Sequence, residues 1–179
     1  MTTPSDIIDF WREAGQKKWF GGGAEFDSEC DARFHDLHFR AASRSLDAWL
    51  ESADGTLALL ILLDQIPRNI FRGTAHQYAT DSLARSIARH AVDAGFDQQI
   101  EPALRIFVYL PFEHSEDHAD QVRAQALYAA MPDGDQGGWA KKHFDVIAQF
   151  GRYPHRNRVL GRESTAAEQA WLDAGGGFG

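Results

Sequence analysis

Cysteine is nearly missing from this chain: Cys30 is the single one in 179 residues. An intramolecular disulfide is thereby excluded, and a reducing compartment is the default. Long apolar runs are missing too. The longest, Leu57 to Leu63, falls far short of the roughly 20 residues a membrane-spanning helix needs. The N-terminus carries Asp6 and Asp9 and lacks a basic-then-apolar leader, which argues against secretion by that route. There is no glycine-rich phosphate loop, no nucleophile elbow and no CxxC pair, so the most legible routes to nucleotide, serine-hydrolase or thiol chemistry are closed. Neither a low-complexity linker nor a repeat of fixed period is present, so a single domain over 1–179 is expected. The expectation is a cytoplasmic protein with no membrane segment.

What is present is an ordinary globular composition, 44% apolar and 25% charged. The net charge of −8 and pI near 5.4 argue against a broad nucleic-acid-binding face. Against that acidic background one stretch is basic: Arg152, His155, Arg156, Asn157, Arg158 and Arg162 follow one another, and no carboxylate lies between Val146 and Arg162. A shorter echo lies upstream, Asp64-Gln-Ile-Pro-Arg-Asn-Ile-Phe-Arg-Gly73. Both stretches leave an apolar helix end, pass a proline and continue with Arg-Asn. They are expected to meet around one polar site.

Helical signals run the length of the chain. Thr3-Pro4-Ser5-Asp6 is a helix start with a cap, a first-turn proline and a returning carboxylate, and Gly15 reads as its stop. Phe26, Cys30, Phe34 and Leu37 follow the spacing of a buried stripe on a helix expected to begin after Asp27. Asp54-Gly55 reads as a turn. Leu57–Leu63 is apolar all round and poor in β-branched residues, which fits a fully buried helix, and Pro67 should end or kink it. Further helices are expected over 81–94, from 100 to a stop at Pro111, from a Ser115 cap to Met131, over 139–150, and from a Thr165/Glu168 capping box. Residues 133–138 read as a flexible loop and 175–179 as a frayed tail. No segment alternates with period two. The fold class is all-α, about eight helices stacked as antiparallel hairpins.

Several side chains are eligible for chemistry. Asp64 sits at the carboxyl end of a buried helix, where the helix dipole disfavours a carboxylate, so Arg68, Arg72 or an arginine of 152–162 should compensate it. Gln65, Asn69 and Asn157 suit helix-end carbonyls and amides. The arginine forks match carboxylate or phosphate oxygens, although a solvated face with carbonyl capping explains them equally well. His143 lies on its helix's apolar stripe, where a hydrogen-bonded core histidine is the ordinary finding, yet its titration range keeps it eligible as acid or base. His114, Glu116 and His118 form a cluster, but a cap at Ser115 would take His114 off the helix and break a shared metal face. His35 and His38 have no third ligand nearby. No metal site and no cofactor are expected.

Asp64-Gln-Ile-Pro-Arg-Asn-Ile-Phe-Arg-Gly73, Tyr109-x-Pro-Phe-x-His-Ser-Glu116 and Phe150-Gly-Arg-Tyr-Pro-His-Arg-Asn157 together resemble the signatures of a bacterial family of uncharacterised proteins, domain of unknown function (DUF) 924. The likeness extends from Asp9-Phe-Trp11 and Lys18-Trp-Phe20 to Leu160-Gly-Arg-x-Ser-Thr165. Ile66 stands where an aromatic residue is expected, and Arg12 where a bulkier apolar one is. The resemblance implies a tetratricopeptide-like α–α superhelix and brings no activity. The residues themselves favour a pocket for a small anionic ligand, a phosphorylated metabolite among the candidates. His114, Glu116, His143 and Asp64 are the candidate acid–base groups; Arg68, Asn69, Arg72, Arg152, His155, Arg156 and Asn157 are the candidate ligand contacts. The alternative is a helical scaffold for peptides whose polar motifs are ion-pair locks.

Overall fold

Thr3 opens the first helix as its spacing predicts. Its side chain accepts from the Asp6 amide, and the Asp6 carboxylate accepts from the Thr3 amide at 2.7 Å. In the computed structural model, which describes residues 2–132, 134–135 and 137–178, this helix is α1, Pro4–Trp19. Gly15 leaves helical geometry where the stop was expected, but the chain re-enters the helix beyond it. α2, Gly23–Ala42, begins earlier than the predicted Asp27 and buries Phe26, Cys30, Phe34 and Leu37 as the stripe requires.

Asp54-Gly55 is the first turn of α3, Ala53–Leu60, rather than a reverse turn: the Ser52 hydroxyl accepts from the Gly55 amide at 3.1 Å and caps the helix. Gly55 is there for closeness. A Cβ at this position would stand 2.1 Å from the Trp49 carbonyl oxygen. Leu57 to Leu63 then run through the interior, each at most 1% exposed. Every such leucine or isoleucine is worth roughly 1.5–3 kcal/mol on burial, so this rod organises the core around it.

Pro67 does not end the rod. The ladder widens to a π turn over Ile61–Gln65, where the Ile66 amide donates to Ile61, and continues as α4, Ile66–Ile70. A proline has no N–H to return to the preceding carbonyls, so side chains supply the donors. His38 Nδ1 meets Leu62 O at 2.9 Å, Thr80 Oγ1 donates to Leu63 O at 2.5 Å, Arg68 Nη1 donates to Asp64 O, and Asn69 Nδ2 donates to Gln65 O at 3.1 Å.

α5 spans Asp81–Asp93 and α6 spans Pro102–Glu113. Pro111 lies inside α6 instead of closing it, because a proline in the last turn removes one ladder bond and leaves the neighbouring ones intact. α7, His118–Ala129, is capped by Asp117, whose Oδ1 accepts from the Ala119 amide at 2.7 Å. Ser115, the expected cap, instead donates to Asp120 Oδ2 at 2.8 Å. α8 is Trp139–Phe150, ended by left-handed Gly151, and α9 is Ala166–Asp173 with the expected Thr165/Glu168 capping box. Of the loop 133–138, Asp133 and Gln136 lie outside the described residues, as does Gly179 of the tail.

With α3, the π turn and α4 taken as one rod, eight rods and no strand are found among the described residues, as an all-α reading requires. The chain divides into two compact units. The first comprises Met1–Arg72 and His76–Pro111; the second comprises Gly73–Ala75 and Phe112–Gly179. Composition did not mark this division because neither boundary carries a linker-like stretch. In the first unit α1 and α5 pack on α3, and α2 on α4. In the second, α7 packs on α8, and α9 on the short turn Pro154–Arg156. Among the described residues no helix is long and apolar enough to cross a membrane.

Candidate functional site

In the first unit, the 64–72 stretch is closed upon itself and its neighbours. Asp64 is fully buried, with Arg68 Nη1 at 3.4 Å from Oδ1. The Arg68 fork also donates to both oxygens of Asp81, at 3.0 Å each. Burial works against the Arg68 charge, but Asp64 and Asp81 outweigh it and raise its pKa above the ordinary value. Arg72 is bidentate on Asp27, at 2.8 and 2.9 Å. Of the compensators considered for Asp64, Arg68 is one that the structure shows. The donors of Arg68, Asn69 and Arg72 already have protein acceptors.

The 152–162 stretch lies in the second unit, and the resolved partners of its arginines lie there too. Arg152 holds Glu168 with two parallel bonds of 2.6 and 2.8 Å. That fork and the Thr165 amide hold the Glu168 carboxyl well below the usual range, at about 2. Arg162 holds Glu116 at 2.7 and 3.0 Å, and Glu116 also accepts from the Tyr153 amide at 2.8 Å. Burial raises the Glu116 pKa, yet Arg162 and the Tyr153 amide together bring it below the ordinary value. Asn157, 1% exposed, donates to Ser164 Oγ and accepts from Arg162 Nε at 2.9 Å. The two basic stretches therefore belong to different units, and each resolved ion pair closes within its own.

Beneath these forks lies a cluster that neither stretch alone announces. Glu113, at the end of α6, is 2% exposed, and its Oε1 stands 3.1 Å from Nδ1 of His143 on α8. The same Nδ1 is 2.9 Å from the Trp139 carbonyl oxygen. A carbonyl can only accept, so Nδ1 carries the proton and Nε2 presents a lone pair. Nε2 makes no hydrogen bond among the described residues. Burial pushes the His143 pKa down to about 3, aided by His114, Arg156 and His155, so the ring is neutral at pH 7. Tyr153, fully buried, donates through its hydroxyl to the Glu113 carbonyl oxygen, and Gln121 Nε2 donates to both that oxygen and the Tyr153 hydroxyl, at 2.7 and 2.8 Å. Arg156 lies over the Tyr153 ring, 4.4 Å from its centroid.

His155 completes the cluster. Its ring is 5.5 Å from that of Tyr153, and its Nδ1 is fully buried without a hydrogen-bond partner. Burial and the neighbouring Arg156 hold it down to about 4, so it too is neutral. His155 also borders an open surface depression lined by Arg158, Arg162, Ser164 and Gln169. Arg158 is exposed and makes no ion pair among the described residues. His114 approaches His143 at 6.4 Å between rings, but His118 is directed to Phe144 at 5.2 Å. No group of three metal-ligating side chains occurs among the described residues.

With this geometry in view, residues 7–176 match the family described as "Bacterial protein of unknown function (DUF924)". The chain belongs to the DUF924 family. A solved structure of a protein of unknown function, ATU0120 from Agrobacterium tumefaciens, is 51% identical over 96% of this chain and 97% of that one, with a TM-score of 0.90. No curated protein matches the chain. In this DUF924 chain the second and third motifs supply one cluster: His114 and Glu116 from one, Tyr153, His155, Arg156 and Asn157 from the other. Glu113 escaped the sequence reading because it stands at a wildcard position of Tyr109-x-Pro-Phe-x-His-Ser-Glu116. Phe178 escaped because its setting is a run of glycines.

Proposed function

We propose that the Glu113–His143–Tyr153–His155 cluster is a small-ligand site with acid–base capacity, and that its ligand is an anion whose charge meets Arg158 at the rim. One observation carries this reading: Nδ1 of the neutral His155 ring is buried and no protein group uses it, while Nε2 of the neutral His143 ring likewise makes no hydrogen bond among the described residues. A purely structural lock would use the His155 nitrogen, because a buried polar atom without a partner costs about 1–3 kcal/mol. The other motif arginines behave as a lock should, with forks on Asp81, Asp27, Glu168 and Glu116. Function is thereby moved from the arginine clamps to the histidines of the second unit.

Glu113 fixes the ring and tautomer of His143, as a carboxylate does for an imidazole base, and leaves Nε2 to accept a proton. His155 stands at the wall of the depression where Arg158 has a free fork for carboxylate or phosphate oxygens. A free, buried Cys30 fits the reducing cytoplasm in which such a metabolite would be met. The test is a panel of carboxylate and phosphorylated metabolites, read by thermal shift and by the histidine ring signals in NMR. An anion that raises Tm and moves the His155 and His143 signals, and that loses both effects on Arg158→Ala, is the expected result. A panel with no anion moving either histidine contradicts it.

The scaffold reading draws on one feature of the first unit. Phe39, 41% exposed, gathers with His35, His38, Phe71 and His76, the Phe71 and His76 rings 3.9 Å apart. Such a patch suits an apolar partner. A Phe39→Glu variant that keeps every partner recovered by the wild type would contradict this second reading.

A further inference from the structure

One wall of the His143 cluster comes from no helix. Phe178 lays its ring on that of His143, with centroids 3.8 Å apart and planes at 19°. The same ring stands edge-on to Tyr153 at 5.9 Å and 88°, and edge-on to His155 at 5.6 Å and 89°. One face and two edges make a box; the two edge-on contacts have the geometry that aromatic rings favour, and the stack on His143 is nearly face to face.

We propose that Phe178 is a displaceable plug, and that the box it fills is the subsite for the planar ring of an aromatic carboxylate. This rests on the ligand-site reading and narrows it to a chemical class. The strap that carries the ring is poorly suited to hold it. Gly175 and Gly177 have positive φ, 86° and 147°. Gly176 passes flat over Trp171, where a Cβ would stand 2.3 Å from the indole ring. The last backbone anchor is the Gly176 amide on the Trp171 carbonyl, at 2.9 Å. Beyond it, Gly177 and Phe178 make no hydrogen bond among the described residues, so among these the ring is what seats residues 177–178. Ordering successive glycines opposes folding more than ordering any other residue, and the gain from one half-buried ring is of comparable size. A seat so nearly balanced is one that a ligand ring can take over.

The class follows from what surrounds the box. A ring on His143 has His155 at one edge, and His155 is also a wall of the depression that holds Arg158 and Arg162. His155 is common to the box and to the depression that holds the exposed Arg158, so the carboxylate is assigned to that side. The ring meets imidazole faces and the charge meets a guanidinium, so neither an aliphatic acid nor an uncharged ring would satisfy both.

The experiment compares the wild-type chain, Phe178→Ala and a chain shortened after Ala174, each followed by the His143 and His155 ring proton signals. Benzoate is the probe; phenol supplies the ring without the anion, and acetate the anion without the ring. Before any probe is added, Phe178→Ala should remove the ring-current shift at His143 while leaving Tm within a few degrees. If the plug is closed nine-tenths of the time, removing it tightens benzoate about tenfold, with phenol weaker and acetate weaker still. Unchanged His143 signals in both variants would overturn the plug. Equal or weaker benzoate binding without Phe178, or acetate binding as well as benzoate, would overturn the aromatic subsite. Those failures leave the broader anion site to be judged by the metabolite panel, where a phosphorylated or aliphatic ligand would still support it.

Discussion

His143 and Glu113 face each other across 3.1 Å inside the second unit, one from α8 and one from the end of α6. The pair fixes which imidazole nitrogen carries the proton, because the Trp139 carbonyl and the carboxylate both accept at Nδ1. What is left over is the Nε2 lone pair, which makes no hydrogen bond among the described residues. The Tyr153 hydroxyl and the Gln121 amide hold the main chain of Glu113 in turn, so the residue that carries the carboxylate is itself fixed within the second unit.

The first expected outcome concerns pH. His143 and His155 are neutral in the fold, whereas their unfolded forms titrate near the ordinary 6.5. The unfolded chain therefore binds more protons below that pH. Stability is at full value above about 6.5 and falls toward pH 4, by up to about 1.4 kcal/mol per pH unit for each histidine. Glu168 adds a further loss from about 4.5 down to about 2, since its folded pKa is depressed. Urea unfolding across this range should show the slope, and a His143→Phe/His155→Leu chain should flatten its upper part. A profile level from pH 7 to 5 would contradict the account.

His155→Leu separates stability from function. Removing a buried nitrogen without a partner relieves a cost of about 1–3 kcal/mol, so this variant should unfold at higher urea while losing the anion-dependent thermal shift. A destabilisation above about 1 kcal/mol would show that His155 is a structural contact after all.

The 64–72 stretch is expected to behave as a lock. Asp64→Ala strips Arg68 of its fully buried carboxylate partner and the Gln65 amide of its acceptor, and should cost about 3 kcal/mol. Asp27→Ala breaks a bidentate pair whose Arg72 side chain is 54% exposed, and should cost less than about 1 kcal/mol. Equal effects of the two substitutions, read by urea unfolding, would contradict the distinction between buried and exposed pairs.

Much of the helical architecture is legible in the chain because its signals are local. Thr3 with Asp6 and Thr165 with Glu168 each make their capping box from residues three apart, and the Leu57–Leu63 run declares its own burial. The errors share a cause. Pro67, Pro111 and Gly55 read as breaks because a proline lacks a donor and a glycine tolerates turns, whereas tertiary contacts decide each case: side chains from α2 and from ahead of α5 replace the missing donor, and Trp49 needs the missing Cβ. The candidate site was half legible. His143, His155, Glu116 and Arg156 stand out by type, but Arg68, Arg72, Arg152 and Arg162 could not be told from ligand clamps until the carboxylates under their forks (Asp81, Asp27, Glu168 and Glu116) were located, between 13 and 46 residues away in sequence. Glu113 and Phe178 depend wholly on the fold, since each matters only through its contact with His143.

The most direct test of the central claim is a nitrogen-15 NMR titration of the His143 ring. The account predicts a neutral imidazole at pH 7 with its proton on Nδ1, a bare Nε2, and no protonation until well below pH 5. A ring that titrates near 6.5, or one protonated at Nε2, would contradict it.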